Sequence, residues 1–469
     1  MNQLNETGFL ENITYDEIHV GQTARIVRTL TLQDIQAFAA VSGDTNPAHM
    51  DQEYASRTHF HDVIGHGMWS GALISSVLGT EFPGPGTIYL DQSLHFKRPV
   101  KIGDTLAVVI KVASKNDQKK SVEFDCEVTN QNEQVVVLGK ANVLAPTEKI
   151  RTPKLEAPQI HVFDPDVRFR NLLAMGSGME AVVCGVVHPC DGESLQGAIE
   201  AAARGLIKPV LIAPKEKLYE VANQYQLDIT PFDIVDVPHS HAAAEVAAQL
   251  AAQKKVEALM KGSLHTDELM HAVISNRDLR TKRRLSHIFR FEVPLYNKPI
   301  LISDAALNIR PDLMQKVDIV QNAIDLSQIM GRLNPKVAIL SAVETVNPEI
   351  PSTLDAAALC KMADRGQIQG GRLDGPLAFD NAISPHAADI KKIKSSVAGE
   401  AEILIVPDLE SGNMLSKQLE YLAGAIGCGV VLGCKVPIAL TSRADGPTVR
   451  MASALLAKLI AHHYRVHRP

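Results

Sequence analysis

The sequence lacks most features that mark secreted, membrane-spanning or nucleic-acid-binding proteins. Its six cysteines are spread over 469 residues with no CxxC pair, which argues against a disulfide framework and a four-cysteine zinc site. No apolar run approaches the roughly 18 residues that span a bilayer. The net charge of −6 leaves no basic excess for nucleic acid phosphates. The polar, acidic start MNQLNETGFLENITYDE is unlike a signal peptide, so we expect a cytoplasmic protein without membrane or nucleic acid partners.

Two nucleotide-binding motifs are missing as well. The glycine-rich segments Gly176–Gly178 and Gly427–Gly433 lack the GxGxxG spacing, and no GxxxxGK[ST] occurs. A nucleoside triphosphate or nicotinamide site is therefore weakly supported, and we expect no tightly bound cofactor. What remains is an ordinary globular composition, 45% hydrophobic and 21% charged, long enough for two or three domains.

The first 148 residues are predicted to form one domain. The segments TIYLDQSLHF, DTLAVVIKVAS, KSVEFDCEVTN and QVVVLGKANVL are β-branched runs broken by turn residues, which predicts an antiparallel sheet. Ahead of them, Gly67–Gly79 is apolar on nearly every face, which predicts a wholly buried helix. One helix against an antiparallel sheet makes an α+β domain over residues 1–148.

Four prolines between residues 146 and 165 predict an extended linker over 149–162. Beyond it, over 163–469, apolar runs such as AVVCGVV and KVAIL alternate with helical stretches. That rhythm predicts a mainly parallel sheet covered on both faces, and its size favours two lobes around a cleft. The Ala-rich run from residue 242 is predicted to be one helix that Gly262 closes.

The segment FAAVSGDTNPAHMDQEYA holds a carboxylate and an imidazole, Asp44 and His49, five residues apart. Turn-forming residues between them allow both side chains to converge, and together they could polarise a water molecule. The spacing alone equally fits Asp44 as a helix cap and His49 as a loop residue. Further histidines at 59, 61 and 66 could suggest a metal site, but their spacing matches no helical zinc motif, and we predict none.

The run SGDTNPAH, with Ala55 and the later FHDVIGHGM, resembles the signature of R-specific enoyl-CoA hydratases, the MaoC-like dehydratases of the hotdog fold. The similarity covers about residues 12–147. It implies that Asp44 and His49 activate water and deliver its proton, and that a backbone N–H near Gly67 binds the thioester oxygen. Gly67 opens the apolar helix, where free N–H groups and a partial positive charge favour such an oxygen.

A second pair, Ser442 and Arg443, follows the buried run VPIALT. Ligands of open α/β sheets sit at the carboxyl ends of strands, where Arg can grip phosphate and Ser can bind an oxyanion. The same pattern also fits a serine at a strand end beside an arginine on the surface, with no role in binding. The basic run Arg277–Arg284 fits either a solvated helix face or a contact to coenzyme A phosphates.

The segments PDLESGNMLSKQLEYLAGA and GCKVPIALTSRAD, with Asp374–Ala382 and Ile302–Asn308, resemble phosphate acyltransferases over about residues 165–469. The family implies acyl transfer between coenzyme A and phosphate, on a two-lobed fold like that of isocitrate and isopropylmalate dehydrogenases. Its acetyltransferases carry a catalytic carboxylate seven residues after the serine, where this chain has Val449. Asp445 is the nearest carboxylate, and the local sequence looks nearer the butyryltransferase branch.

The sequence therefore predicts a bifunctional enzyme whose substrates are coenzyme A thioesters and phosphate. One half would hydrate trans-2-enoyl-CoA to (R)-3-hydroxyacyl-CoA, and the other would exchange coenzyme A for phosphate. Two alternatives stay open: an acyl-CoA-binding sensor or assembly module with one inactive half, and a thioesterase. Proteins of each of these families generally assemble from paired copies of one chain, which implies a homo-oligomer.

Overall fold

A computed structural model describes residues 8–155, 165–442 and 445–469. The chain forms two compact units, Met1–Val162 and Phe163–Pro469. Each unit has its own buried apolar core on its own sheet. In the described residues no helix combines the length and the apolarity that a membrane crossing requires.

The segment predicted as a linker, 149–162, is described up to residue 155. Its strand Arg151–Pro153 pairs antiparallel with Phe9–Glu11, near the start of the chain. The side-chain amide of Asn12 also donates to the carbonyl of Glu148 over 2.8 Å. The first unit therefore continues beyond residue 148, through Pro153.

The first unit is built on a five-stranded antiparallel sheet. Its elements are β1 (Phe9–Glu11), β2 (Thr23–Thr29), α1 (Leu32–Ser42), α2 (Pro47–Met50), α3 (Gln52–Ser56), α4 (Gly67–Ser76), β3 (Ile88–Phe96), β4 (Thr105–Asn116), β5 (Ser121–Thr129), β6 (Val135–Leu144) and β7 (Arg151–Pro153). The sheet order is β2-β4-β5-β6-β3, and β1 and β7 form a separate ribbon. The four predicted strands are confirmed as β3 to β6, and the α+β class is confirmed with them.

The apolar helix is only half buried, which corrects the prediction that it is buried on all sides. Helix α4 ends at Ser76 and continues into a π-helical turn, Val77–Glu81. Trp69 and Ile74 face the core of the sheet, whereas Met68 is 57% exposed. A single sheet covers one face of a helix, so the apolar residues on the opposite face of α4 remain open within this chain.

The second unit alternates strands and helices. Its elements are α5 (Pro165–Ala174), β8 (Val182–Val187), α6 (Gly192–Ala203), β9 (Ile207–Ala213), α7 (Lys215–Gln224), β10 (Asp233–Asp236), α8 (Ser240–Ala252), β11 (Ala258–Lys261), α9 (Thr266–Ser275), β12 (Ser286–Glu292), β13 (Ile300–Ser303), α10 (Leu313–Ile329), β14 (Lys336–Leu340), α11 (Pro351–Asp364), β15 (Arg372–Leu377), α12 (Phe379–Ile383), α13 (Pro385–Ile390), β16 (Ile403–Ile405), α14 (Leu409–Tyr421), β17 (Ile426–Leu432), β18 (Ile438–Ala439) and α15 (Pro447–Val466). Helix α15 is buried along most of its length and packs on β17, β18 and α6.

One sheet runs through this unit in the order β10-β9-β8-β11-β18-β17-β12-β13-β16-β14-β15. Seven of its ten strand pairings are parallel, which confirms the prediction of a mainly parallel sheet. The three antiparallel pairings lie in the middle and separate a parallel group of five strands from one of four. Because three reversals lie between them, the two groups run in opposite directions.

The Ala-rich helix is shorter than predicted. Helix α8 ends at Ala252, and the chain turns through Lys254, which has a left-handed φ of 59°. The following residues form strand β11, which lies buried between β8 and β18. Pairing with two parallel neighbours therefore overrides the helical propensity of the sequence ALMK.

The basic run Arg277–Arg284 does not form a helix beyond a single 3₁₀ turn, Arg277–Leu279. The Arg283 side chain pairs with Asp325 on α10. The backbone N–H of Arg284 donates to Asp318 on the same helix over 3.0 Å. The end of this run is thus tied to α10. The predicted helix is wrong, although the basic side chains of the run are exposed, and a contact to coenzyme A phosphates stays a prediction.

Candidate active sites

Asp44 lies in a tight loop between α1 and α2. Helix α1 stops where Gly43 adopts a left-handed φ of 74°, which glycine accommodates readily. The Asp44 carboxylate accepts the backbone N–H of Asn46 over 3.2 Å. The Asn46 side chain in turn accepts the N–H of Ala48 over 3.0 Å and begins the short helix that carries His49. Two successive side-chain turns therefore fix the path from Asp44 to His49.

Two carbonyl groups determine which ring nitrogens carry protons in this site. His49 Nδ1 lies 2.8 Å from the Ile64 carbonyl oxygen, and a carbonyl can only accept, so Nδ1 carries the proton. The Nε2 of neutral His49 is therefore an open lone pair. His66 Nε2 donates to the Asp44 carbonyl over 2.9 Å, so in a neutral ring Nδ1 is the lone pair; this atom is buried and has no partner among the described residues.

The predicted pair comes together, and His66 joins it. One carboxylate oxygen of Asp44 and one nitrogen of each imidazole lie within 4.8 Å of one another. The His49 and His66 rings are 4.0 Å apart between centroids. His66 is 3% exposed and packs against Phe38, whereas Asp44 is open to solvent. An external molecule can therefore reach the carboxylate, while the buried His66 holds the backbone carbonyl of Asp44 from inside.

The donor types of this cluster are those that zinc accepts, one oxygen and two imidazole nitrogens. It is the only such cluster in the described parts of the chain, and it does not contain His59 or His61. His59 stacks on Phe60, and His61 is exposed with a left-handed φ of 56°. The group of three histidines considered in the sequence is therefore not assembled.

Gly67 begins α4 beside this cluster. Its N-cap residue, His66, makes no side-chain cap, and the first turn carries no acidic residue. A Cβ at Gly67 would lie 3.1 Å from the Phe96 ring. The N–H groups at the helix start thus have no side-chain cap, and the Phe96 ring lies beside Gly67.

The second site lies at one edge of the large sheet. Strand β11 is parallel to both of its neighbours, β8 and β18, with Met260 opposite Val186 on one side and Ala439 on the other. The carboxyl ends of the three strands therefore meet at this edge. Ser442 follows β18 there, as the sequence predicted.

The turn after β18 is closed by Asp445. Its carboxylate accepts the Ser442 N–H over 2.6 Å, and its own N–H donates to the Ser442 carbonyl over 3.3 Å. Burial raises the pKa of Asp445 above its ordinary value, while the Ser442 N–H acts in the opposite direction. Arg443, the predicted phosphate ligand, lies outside the described residues.

The fully buried guanidinium of Arg450, on α15, stabilises this turn by hydrogen bonds. It donates to the carbonyls of Asp445 (3.0 Å), Ser442 (3.1 Å) and Lys261 (3.4 Å) and to Thr441 Oγ1 (3.0 Å). These contacts connect the end of β11 to the end of β18. Val449 precedes Arg450 on the same helix, at the position where the resembled acetyltransferases carry a carboxylate.

Two other predicted motifs meet at the carboxyl ends of β13 and β16. Asp304 accepts the N–H groups of Ala306 and Leu307, at 2.9 and 3.0 Å. The Asn413 side chain on α14 donates to the Ala305 carbonyl over 3.4 Å. Farther along α14, the charges of Lys417 and Glu420 act on the pKa of Asp445, so this helix connects the two loop regions.

Comparison with known proteins assigns a family to each unit. The model of the phosphate acetyl/butaryl transferase family matches residues 239–457, and that of the MaoC like domain matches residues 17–134. The phosphate acetyltransferase of Rhizobium meliloti is 57% identical over 64% of this chain and 95% of its own length. The chain belongs to the phosphate acetyl/butaryl transferase family. This family member carries the MaoC like domain ahead of its transferase unit, as the sequence predicted.

One solved structure agrees with the family of the second unit. A branched-chain phosphotransacylase from Enterococcus faecalis V583 is 30% identical to this transferase. The match covers 60% of this chain and 99% of the Enterococcus chain, with a TM-score of 0.53. The R-hydratase PhaJ1 from Pseudomonas aeruginosa is 47% identical over 33% of this chain and 99% of its own, with a TM-score of 0.32.

Nothing in the sequence indicates a special role for Arg450, and His66 looks like one of three histidines in a loop. Arg450 lies in no motif that the sequence offered, and His66 lies in FHDVIGHGM, where the spacing gives it no catalytic role. Their positions depend on contacts between segments distant in the chain, such as Arg450 with Lys261. The GHG sequence around His66 was the one available signal, because it places an imidazole directly before a helix start.

Proposed function

We propose that the first unit hydrates trans-2-enoyl-CoA to (R)-3-hydroxyacyl-CoA. The juxtaposition of Asp44, His49 and the uncapped start of α4 carries this proposal. Water addition needs a group that takes a proton from water, and an electropositive site for the thioester oxygen as it becomes enolate-like. The cluster offers the first and the helix start offers the second.

In this proposal the open Nε2 of His49 and the Asp44 carboxylate bind the water. As the water oxygen bonds to C3, its proton passes to this pair and is then delivered to C2. The N–H of Gly67 would donate to the thioester oxygen while negative charge grows there. Those N–H groups are fixed by the helix before the reaction, so little reorganisation opposes the step.

The test is hydration of short- and medium-chain trans-2-enoyl-CoA by the full chain, followed by chiral analysis of the product. Turnover to the (R) product supports the proposal. Binding of enoyl-CoA without turnover would instead indicate a binding module, and hydrolysis to free acid would indicate a thioesterase.

For the second unit we propose acyl transfer between coenzyme A and phosphate. The observation that carries it is the Ser442 turn at the carboxyl ends of three parallel strands. Arg443 would neutralise the phosphate, and Ser442 would hydrogen-bond the growing oxyanion. Asp445, which closes the turn, would hold Ser442 in place. The two parallel strand groups would be the lobes of an isocitrate dehydrogenase-like fold.

This proposal predicts that release of coenzyme A from acyl-CoA requires phosphate or arsenate. A panel of acetyl-, propionyl- and butyryl-CoA identifies the preferred acyl group, and the 57% identity to a phosphate acetyltransferase favours acetyl. Equal release without an oxyanion would establish a thioesterase. Tight binding without release would establish a sensor.

We also propose that the units fold independently and that the chain forms a cytoplasmic homo-oligomer. Strand β3 is an edge strand of its sheet, and its side chains Ile88, Leu90 and Phe96 are about half exposed, which suits pairing with a second copy. Separate expression of 1–155 and 160–469 tests folding by cooperative unfolding. Light scattering on the full chain tests assembly, and a monomer would refute it.

A further inference from the structure

His188 stands at the carboxyl end of β8 in a conformation that few side chains adopt. Its φ is 54°, in the left-handed region, where a residue with a Cβ is uncommon and where strain often marks a functional position. Its N–H donates to the Ile212 carbonyl over 2.8 Å. Its own carbonyl lies against Gly262, where a Cβ would come within 2.5 Å. The backbone at His188 is therefore held from two neighbouring strands.

The side chain of Ser263 determines the tautomer of His188. The Ser263 hydroxyl donates to the His188 carbonyl over 2.8 Å, so its single proton is already used. The 3.0 Å contact from Ser263 Oγ to His188 Nδ1 must then have Nδ1–H as donor. In neutral His188, Nε2 is consequently an unprotonated lone pair on a ring that is fixed by its other nitrogen.

This lone pair belongs to the edge that carries Ser442. Strand β11 lies between β8 and β18, and neighbouring strands are about 4.8 Å apart, so the ends of β8 and β18 are separated by about 10 Å. We infer that a thioester or acyl phosphate bound at Ser442 would lie between these two strand ends. No carboxylate stands at Val449 to serve this space.

The charged groups around His188 come from three elements. Lys217 on α7 lowers the pKa of His188. Glu268 on α9 and Asp191 at the start of α6 raise it, because they favour the protonated form. Burial outweighs these charges and lowers the pKa of His188, so the ring is a neutral base at neutral pH. The nearby thiol of Cys190 is a poor competitor, because burial raises its pKa to about 11.

We propose that His188 is the general base that takes the thiol proton of coenzyme A when the second unit forms acyl-CoA from acyl phosphate. This inference rests on the proposed acyltransferase function. The S–H proton passes to Nε2 while sulfur attacks the acyl carbon. The C–S bond forms, the bond from that carbon to the phosphate oxygen breaks, and the departing phosphate takes the proton back from the imidazolium. In the opposite direction the same imidazolium protonates the leaving thiolate.

The test uses the full chain with His188→Asn. Asparagine tolerates a left-handed φ, and its amide N–H can replace Nδ1–H toward Ser263, but it has no basic nitrogen. His188→Gln is a second variant, and His386→Asn, an exposed histidine on α13, is the matched control. Acyl-CoA formation from acyl phosphate and coenzyme A is measured from pH 6 to 9, with and without added imidazole.

At neutral pH we expect His188→Asn to lower kcat at least about 10²-fold, with little change in KM and with partial rescue by imidazole. The defect should shrink toward the upper end of this pH range, because a growing share of the coenzyme A thiol then ionises without a base. His386→Asn should match the wild type. A defect of equal size at every pH, without rescue, would show a merely structural role and overturn the proposal. If the wild-type chain itself makes no acyl-CoA, the acyltransferase function fails before any variant is compared.

Discussion

Replacing Arg450 with Met should impair acyl transfer through the Ser442 turn, without touching a substrate. Methionine fills much of the buried space but leaves three carbonyls and Thr441 Oγ1 without their donor. Each buried polar group left unsatisfied costs about 1–3 kcal/mol, and local relaxation recovers part of this, so we expect a total loss of about 3–5 kcal/mol in unfolding free energy. Ser442 would also lose its fixed position.

Lys458 provides a matched control on the same helix. It is also buried, and its Nζ donates to the carbonyls of Gly176, Met179 and Gly205 at 3.3, 2.8 and 3.1 Å. Lys458→Met should therefore destabilise the second unit by a similar amount, eight residues away from Arg450.

The assay is phosphate-dependent release of coenzyme A well below the unfolding temperature of both variants, with unfolding followed by calorimetry. Arg450→Met should lower kcat by about 10- to 100-fold, which corresponds to about 1.4–2.8 kcal/mol, while Lys458→Met leaves it near the wild type. Hydration by the first unit should be normal in both. Equal losses of kcat in the two variants would refute the argument, because stability alone would then explain the effect.

Further predictions concern residues at both sites. Asp44→Asn and His49→Ala should each lower the kcat of hydration by at least about 10²-fold and leave acyl transfer unchanged; normal hydration would remove these residues from the mechanism. Gly67→Ala should reduce hydration more than thermal stability, because the added methyl displaces the partly exposed Phe96 ring at the helix start; an unaltered kcat would argue against a thioester at that position. Arg443→Ala should cost about 2–4 kcal/mol of transition-state stabilisation in acyl transfer, and Arg443→Lys should stay impaired because it lacks the planar fork; full activity of the Lys variant would reduce the role to charge alone.

Sequence reasoning succeeded where the informative residues are neighbours in the chain. Asp44 and His49 are joined by short side-chain turns, so their convergence depends on local geometry that the motif itself encodes. Ser442 follows a strongly apolar strand, and the parallel sheet then determines at which edge it emerges. The strands β3 to β6 were equally predictable from the sequence, because each is a β-branched run bounded by turn residues.

It failed where a position depends on contacts between distant segments. The buried faces of α4 depend on how much of the helix one sheet can cover, which its apolar composition does not reveal. Arg450 looks like any basic residue of a long helix, yet it is fully buried, because carbonyls from two strand ends surround it. The same holds for His66, whose role follows from a contact to a carbonyl 22 residues earlier.

Gly262 is structurally important, as the sequence indicates, but for a different physical reason. After an Ala-rich stretch, glycine indicates a helix end, and the sequence was interpreted in that way. In the structure Gly262 follows strand β11, and a Cβ there would lie 2.5 Å from the carbonyls of both Val187 and His188. Glycine is needed because two strand ends approach closely at the edge that carries Ser442, and a larger residue would push β11 away from β8. Gly262→Ala should therefore disturb acyl transfer through the geometry of that edge, an effect that a helix-capping glycine at the end of α8 would not produce.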